Sequence, residues 1–180
     1  TSPNDDAIES FCEINNIECY RGSLNDVSKR MLNAAKNLNA DTFIRITGDS
    51  PLIDSVIINR AIKLYYKGNY DLVTNVFPRS YPVGQSVEVI RTKTYERAYE
   101  NMVLKEDLEH VTKYFYRKPN GFMIKNFSNN RDISNYRIVL DSLEDLKIME
   151  KVISNMSKPH TEYGLDELVE LYNFYKDLKC

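Results

Sequence analysis

The sequence lacks any hydrophobic run long enough to cross a membrane. A transmembrane helix needs about 20 consecutive apolar residues, and no stretch of this chain approaches that length. The segment from Thr1 to Asp6 is polar and has no apolar region of the kind that signal peptides carry. From these two absences we expect a soluble, cytoplasmic protein that does not act at a membrane.

Residues that commonly bind zinc are also scarce. Cys12, Cys19 and Cys180 form an odd set without metal-ligand spacing, and His110 and His160 lie far apart in the sequence. We therefore expect no zinc site. Cys12 falls in register with the apolar positions of a predicted helix, which indicates a packed apolar side chain and argues against thiolate catalysis.

Neither sign of charge dominates. The chain has 24 Lys and Arg against 26 Asp and Glu, which leaves no basic surplus for binding nucleic acid. The Gly-x-Ser-x-Gly motif of α/β hydrolases and the Gly-x-x-x-x-Gly-Lys motif of P-loop kinases are absent as well. With 180 residues, 42% of them hydrophobic, the chain can bury one substantial core. We predict a single domain over residues 1–180 that does not bind nucleic acid.

The first half of the sequence alternates between helical and extended patterns. Strands separated by helices are typical of right-handed crossover units. This arrangement predicts an α/β fold, in which a mostly parallel sheet is covered by helices on both faces. The predicted helices begin near Ser2, Ser23 and Val56, and the predicted strands are 17–20, 42–47 and 70–76.

The alternation stops in the middle of the chain. We interpret residues 77–135 as a block inserted against the edge of the sheet. After this block, Tyr136 to Leu140 has the pattern of a buried strand, and helices are predicted at 142–153 and 165–175. Within the block, the patterns predict a loop at 77–84, a strand at 85–90, helices at 91–102 and 106–116, an extended segment at 122–127 and a loop at 128–135.

Two acidic residues directly follow predicted strands. Asp49 comes after the strand at 42–47, and Asp141 comes after Leu140. Ligands of open α/β sheets bind at the carboxyl ends of the strands, and Mg²⁺ is usually held by one or two carboxylates together with substrate phosphates. The two acids therefore form a candidate magnesium site. Alternatively, Asp49 belongs to a Gly-Asp-Ser-Pro turn and Asp141 helps Ser142 to begin a helix.

The residue identities in several motifs are more informative about function than their spacing. Residues 45–54 read Arg-Ile-Thr-Gly-Asp-Ser-Pro-Leu-Ile-Asp. This run resembles the cytidylyltransferase family that includes spore-coat polysaccharide biosynthesis proteins, CMP-N-acetylneuraminate synthetases and 3-deoxy-manno-octulosonate cytidylyltransferases. The spore-coat branch is the most similar. Other motifs that resemble the family lie at residues 5–8, 20–27, 74–75, 78–82, 87–89, 109–112 and 139–146.

The resemblance implies a Rossmann-like nucleotide-diphospho-sugar transferase fold. It also implies transfer of a nucleotidyl group, usually CMP from CTP, to a sugar or sugar acid with release of pyrophosphate. Such a reaction would supply surface polysaccharide or glycoconjugate synthesis. By the same resemblance, Asp49 and Asp141 match the catalytic acids that bind Mg²⁺. The cation would position the triphosphate, so that the enzyme contributes mainly positioning and electrostatics.

Four further residues are candidates for binding the sugar. Arg79 has a planar guanidinium that suits a carboxylate or phosphate, and Tyr81 lies in the same predicted loop. Glu88 is a candidate acceptor for sugar hydroxyls, or else a solvent-facing residue of an alternating strand. His110 matches a family position near the sugar and the dimer contact, or else it is a packed or capping residue of a helix.

The family resemblance also implies a homodimer. The block 77–135 is the candidate subunit contact, because it carries large amphipathic side chains of the kind that anchor interfaces. The same side chains could equally be ordinary core residues. They are Tyr95, Tyr99, Tyr114, Phe115 and Tyr116.

The sequence departs from the family in two places. Val83 and Ser86 stand where members of the spore-coat branch often carry acidic residues, so the sugar acceptor is not indicated. The glycine- and arginine-rich loop that holds the triphosphate in the family has no counterpart here, and we interpret the chain as N-terminally incomplete or divergent. We therefore expect weak turnover by this chain alone. The alternative is a non-catalytic sugar-nucleotide-binding or dimerisation module.

Overall fold

The computed structural model describes residues 2–178, so Cys180 lies outside the described residues. The chain divides into two compact units. Unit 1 comprises Thr1–Phe43 and Ile90–Met123, and unit 2 comprises Ile44–Val89 and Ile124–Cys180. The predicted block 77–135 is therefore shared between them, because its middle, 90–123, belongs to unit 1 and its ends belong to unit 2.

Four strands form one sheet in the order β1-β3-β2-β4. Strands β2 and β4 pair in parallel, with Val73 opposite Lys125. Two of the three neighbouring pairs, β1–β3 and β2–β4, join strands that are not consecutive in the sequence, so these strands are linked by crossover connections, as the α/β prediction requires. The strands are β1 (Thr42–Arg45), β2 (Leu72–Thr74), β3 (Glu88–Arg91) and β4 (Ile124–Asn126).

Two predicted strands are wrong. Residues 17–20 have no strand structure. Residues 136–140 are not a strand of the sheet, although Arg137 forms an isolated parallel bridge with Val83. The physical reason is that the backbone of 136–140 bonds to a loop and a turn: the Ile138 N–H donates to the Val83 carbonyl at 2.9 Å, and the Leu140 N–H donates to the Asp49 carbonyl at 2.8 Å.

Within the described residues, the number of α-helices matches the prediction except at 106–116, where one helix was expected and two are present. Their bounds are α1 (Asp6–Ile14), α2 (Val27–Asn37), α3 (Ser55–Lys67), α4 (Thr92–Tyr99), α5 (Lys105–Glu109), α6 (Lys113–Arg117), α7 (Leu143–Ser154) and α8 (Leu165–Asp177). The single helix expected at 106–116 is broken into α5 and α6. Between them the chain turns, with Val111 and Thr112 buried, and the Lys113 N–H donates to the His110 carbonyl at 2.7 Å.

Unit 1 has an aromatic interior. Tyr95 and Phe115 are fully buried and stack with ring centroids 6.1 Å apart, while Phe43 packs edge-on against Tyr95 at 5.3 Å. Of the aromatic residues considered for a subunit contact, Tyr95 and Phe115 are thus core residues.

The described residues of unit 2 form two apolar cores. One forms between α7 and α8 and includes Ile138, Ile148 and Leu168. The other covers β2 and the start of β3 with the buried side of α3, and it includes Ile57 and Val73. Helix α7 begins at the predicted place: Ser142 caps it, and Ser142 and Asp145 form a reciprocal capping box.

Candidate functional site

Asp49 and Asp141 come together through the main chain of unit 2. Asp49 lies in the turn that follows β1. Its carbonyl accepts a hydrogen bond of 2.8 Å from the backbone N–H of Leu140, the residue before Asp141. The two acids are therefore carried by backbone segments that are bonded to each other. Both residues are exposed, so their carboxylates are accessible to a ligand.

The Asp49 carboxylate is oriented by its neighbour in the turn. Its Oδ1 accepts a hydrogen bond from the Ser50 hydroxyl at 2.9 Å, and that hydroxyl also contacts Thr47 Oγ1 at 3.1 Å. Ser50 is buried at 5% exposure, so water has little access to the residue that supports the Asp49 carboxylate. The turn interpretation of Asp49 is therefore correct, and it is compatible with a ligand-binding role because the carboxylate remains exposed.

Asp141 and Asp145 have different tasks, although they lie four residues apart. Asp145 Oδ2 accepts from the Asp141 N–H at 3.1 Å, from the Ser142 N–H at 2.9 Å and from the Ser142 hydroxyl at 2.8 Å. Its carboxylate is therefore occupied by the helix cap. The Asp141 carboxylate forms an ion pair with Arg137, with both side chains 49% exposed. The capping role considered for Asp141 is thus filled by Asp145.

The donor set fits a hard cation that retains other ligands. Among residues 2–178, no group of three or more His, Cys, Asp or Glu side chains is arranged to hold a metal ion. Two exposed carboxylates are nevertheless sufficient for Mg²⁺, which is usually bound by one or two protein carboxylates together with water and substrate phosphates. Magnesium binding by Asp49 and Asp141 stays a prediction.

Gln85 holds the motif at 45–54 in place, and sequence reasoning missed it. Its side chain is fully buried; Oε1 accepts from the Asp54 N–H at 2.9 Å, and Nε2 donates to the Leu52 carbonyl at 2.9 Å. The Gln85 carbonyl in turn accepts from Asn75 Nδ2 at 2.7 Å. The available signal was a polar residue at the start of the predicted strand at 85–90, two positions before Val87.

The loop at 77–84 is fixed against the segment that carries Asp141. Gly84 has a φ of 97°, and a Cβ atom built there would lie 1.9 Å from the Ile138 carbonyl oxygen. Only glycine fits this close approach of two backbones. On the other side of Gly84, the Val83 N–H donates to the Tyr136 carbonyl at 3.0 Å.

Glu88 is buried and ion-paired. It is 2% exposed, and its Oε2 accepts a hydrogen bond of 2.6 Å from Arg45 Nη1. Its side chain therefore does not face solvent, which rules out that alternative for Glu88. The pair joins the beginning of the 45–54 motif to β3, and binding of sugar hydroxyls by Glu88 stays a prediction.

Tyr81 is 3% exposed, and its hydroxyl accepts a hydrogen bond of 2.7 Å from Arg60 Nη1. Burial raises the pKa of the Tyr81 hydroxyl, and the nearby Arg60 guanidinium partly opposes that shift. Arg79 is partly buried and donates to the Pro82 carbonyl at 3.2 Å and to Ser86 Oγ at 3.0 Å. Both side chains thus brace residues 77–86, because the loop predicted at 77–84 continues until β3 begins at Glu88. Sugar contacts by either side chain stay predictions.

His110 belongs to a different compact unit from the other candidate residues. It belongs to unit 1, whereas the other five candidate residues belong to unit 2. It is the exposed residue that follows α5, and its N–H donates to the Glu106 carbonyl at 2.9 Å. Since it ends a helix, the capping alternative describes its local structure, and its substrate-binding role stays a prediction.

Comparison with known proteins identifies the family to which the chain belongs. The sequence model of the cytidylyltransferase family matches residues 2–178 of this chain. The chain belongs to the cytidylyltransferase family. A cytidylyltransferase structure from Leptospira borgpetersenii superposes with a TM-score of 0.88 at 31% identity, over 98% of this chain and 74% of that one. The predicted α/β, Rossmann-like nucleotidyltransferase fold is thereby confirmed.

Two curated proteins are similar in sequence to this cytidylyltransferase-family chain. The uncharacterized protein MJ1063 of Methanocaldococcus jannaschii is 32% identical over 146 residues, which cover 80% of this chain and 59% of MJ1063. The spore coat polysaccharide biosynthesis protein SpsF of Bacillus subtilis is 23% identical over 174 residues, which cover 94% of this chain and 70% of SpsF. The chain thus spans little more than half the length of MJ1063. Within residues 2–178, no helix combines the length and apolar composition needed to span a bilayer.

Proposed function

We propose that this protein transfers a nucleotidyl group, CMP from CTP, to a sugar or sugar acid and releases pyrophosphate. The reaction would depend on Mg²⁺ held by Asp49 and Asp141. The observation that carries this proposal is the hydrogen bond of 2.8 Å between the Leu140 N–H and the Asp49 carbonyl, which joins the two acid-bearing segments in a chain of the cytidylyltransferase family. We also propose that the protein is a cytoplasmic homodimer and that its product, an activated sugar, is used in polysaccharide synthesis.

The residues of the chain would act mainly by placement. Bound Mg²⁺ would offset the negative charge that develops on the phosphates during transfer. Asp49, held by Ser50, and Asp141 would fix the position of the cation and therefore of the α-phosphate. Correct placement of two reactants supplies a large part of the rate enhancement in phosphoryl-type transfers.

For the sugar, we propose two kinds of contribution. Arg79 would contact an anionic group of the acceptor, because it is the candidate with a partly accessible guanidinium on the loop at 77–86. Tyr81 and Glu88 are 3% and 2% exposed, so we propose that they hold the loop and β3 in the shape that receives the sugar. His110 is proposed to act at the sugar or at the subunit contact.

Thermal unfolding with added ligands tests the proposal. We expect CTP to raise the melting temperature of the protein only when Mg²⁺ is present, because ligand binding to the folded state stabilises it by mass action. Asp49→Asn and Asp141→Asn should each abolish that shift. The matched control is Asp166→Asn, which alters an exposed aspartate paired with Arg131 and should leave the shift unchanged.

The outcomes separate catalysis from binding alone. No melting shift with any nucleoside triphosphate would contradict the proposal and favour a non-catalytic sugar-nucleotide-binding or dimerisation module. A shift that survives both asparagine substitutions would exclude Asp49 and Asp141 as the cation site. If binding is confirmed, mass analysis of the products formed from a panel of triphosphates and sugars identifies the acceptor and the base.

A further inference from the structure

Arg137 is a cation paired with Asp141, one of the two acids, and its main chain is hydrogen-bonded through both neighbouring residues. The Tyr136 carbonyl accepts from the Val83 N–H at 3.0 Å, and the Ile138 N–H donates to the Val83 carbonyl at 2.9 Å. The guanidinium, by contrast, is half-exposed and pairs through Nη2 with Asp141 Oδ2. Because its backbone is held by hydrogen bonds while its guanidinium is accessible, Arg137 can exchange one side-chain partner for another without moving the main chain.

The pair that Arg137 makes is a weak one. Both side chains are 49% exposed, and ion pairs in such surroundings contribute little to stability because water competes for both charges. The buried pair in the same unit differs, since Glu88 of the Arg45–Glu88 pair is 2% exposed. Arg137 can therefore release Asp141 without a large penalty, which makes the carboxylate available to a cation.

Charge changes sign when a divalent cation is added to this site. Asp49, Asp141 and Arg137 together carry one net negative charge, which disfavours a triphosphate. With a divalent cation on the carboxylates the net charge becomes positive, and the guanidinium is freed to bind an anion. An arginine fork matches phosphate oxygens through two parallel hydrogen bonds.

We propose that Arg137 is a positioning residue that couples cation binding to phosphate binding. Without a cation it pairs with Asp141; when the cation takes the carboxylate, the guanidinium turns to the phosphates of the nucleotide. This inference rests on the proposed function, because it requires a cation at Asp49 and Asp141. Among residues 2–178, Asp141 is the only ion-pair partner of Arg137, so no second ion pair has to break when the guanidinium moves.

The test measures two affinities that should move in opposite directions. Isothermal titration of MgCl₂ into the nucleotide-free protein should give up to about fivefold tighter binding for Arg137→Met, since the competing partner is removed. Titration of CTP at saturating Mg²⁺ should give at least about tenfold weaker binding for the same variant. A purely structural arginine would not shift the two affinities in opposite directions.

Three companion measurements locate the effect. Inorganic triphosphate should lose affinity for Arg137→Met by the same factor as CTP, because the proposed contact is to phosphate. Arg137→Lys keeps the charge but not the planar fork and should lie between the wild type and Arg137→Met. Arg131→Met removes an exposed arginine that pairs with Asp166, and it should change neither affinity.

Each outcome decides a different claim. If the wild-type protein binds Mg²⁺ and loses it in Asp141→Asn, but Arg137→Met equals the wild type in both titrations, this inference is wrong and the proposed function stands. Weakened CTP binding with unchanged triphosphate binding would also overturn it. If the wild type binds neither Mg²⁺ nor CTP, the proposed function and this inference both fail. Should Arg137→Met not fold, Arg137→Lys alone decides the matter by the same two titrations.

Discussion

Helix α1 in unit 1 and helix α3 in unit 2 have similar apolar periodicity, but the apolar face of α1 is exposed and that of α3 is buried. In α1 the apolar residues Ile8, Phe11 and Ile14 are 62%, 60% and 80% exposed, and the helix has no buried residue. In α3 the corresponding face is packed, with Ile57 and Ala61 buried. Periodicity thus identifies which side of a helix is apolar, whereas burial depends on whether another element covers it.

The polar residues of unit 2 and those around α1 also differ in how far they are buried. Unit 2 buries Gln85, Glu88 and Asp54, and each of them has a hydrogen-bonding partner that helps to shape the two-acid region. Around α1 the polar contacts are more accessible: Arg21 bonds to Glu9 and pairs with Asp6 on the surface of unit 1. Substitutions at these buried residues of unit 2 should therefore cost more stability than substitutions at the exposed residues around α1.

Gly84→Ala should have the largest effect. A methyl group there would lie 1.9 Å from the Ile138 carbonyl oxygen, at a φ of 97°, so the loop and the Asp141 segment must separate. We expect the free energy of unfolding to fall by about 3 kcal/mol or more in urea denaturation. Gly121→Ala in unit 1 meets open space and should change it by about 1 kcal/mol at most. Equal losses for the two variants would break the comparison.

Arg45→Met should be the next most damaging substitution. It leaves the Glu88 carboxylate, which is 2% exposed, without its ion-pair partner, and we expect a loss of about 2–4 kcal/mol in the free energy of unfolding. Lys36→Met removes the equivalent partner of Glu96 in unit 1, where the side chains are 52% and 41% exposed. That control should lose less than about 1 kcal/mol. A small loss for Arg45→Met would show that water reaches Glu88.

Tyr99 in unit 1 should give a smaller effect that is confined to high pH. Burial and the hydrogen bond to Asp26 raise the pKa of Tyr99 to about 12, from an ordinary tyrosine value of about 10. Because the unfolded chain loses this proton first, the stabilisation is complete below pH of about 10 and is lost as the pH rises through about 12. Unfolding midpoints measured across that window should fall less steeply for Tyr99→Phe, and identical profiles would contradict the assignment.

Ile14→Ala should have the smallest effect. The side chain is 80% exposed, so truncation removes little buried area, and the free energy of unfolding should change by about 0.5 kcal/mol or less. The same substitution in α3, Ile57→Ala, removes a side chain that is 4% exposed and should cost about 2–4 kcal/mol. A loss above 1 kcal/mol for Ile14→Ala would mean that α1 is packed in solution.

Local patterns predicted the elements whose signals are contained within a few residues. The capping box of Ser142 and Asp145 and helices α3, α7 and α8 follow from spacing and helix caps. The break at His110 was missed because the residues on either side favour a helix, and only the burial of Val111 and Thr112 in the turn reveals it. Tertiary packing overrides local preference in such segments.

The reason for expecting Asp49 and Asp141 to lie close together is only partly correct. Asp49 and Asp141 were expected to meet because both follow strands of one sheet, but residues 136–140 form only an isolated bridge at Arg137 and are not a strand of that sheet. The hydrogen bonds of Gln85 to Leu52 and Asp54 span more than thirty positions, with separations of 33 and 31. Nothing local in the sequence indicates such partners, so they could not be predicted from it.

The hydrogen bond between Leu140 and Asp49 uses main-chain atoms alone. The spacing of the two acid-bearing segments is therefore insensitive to which side chain occupies position 140, and substitutions there can accumulate without altering the geometry of the acids. Proline is the exception, because it has no N–H to donate. Natural variation at this position should therefore be wide among homologues but should exclude proline.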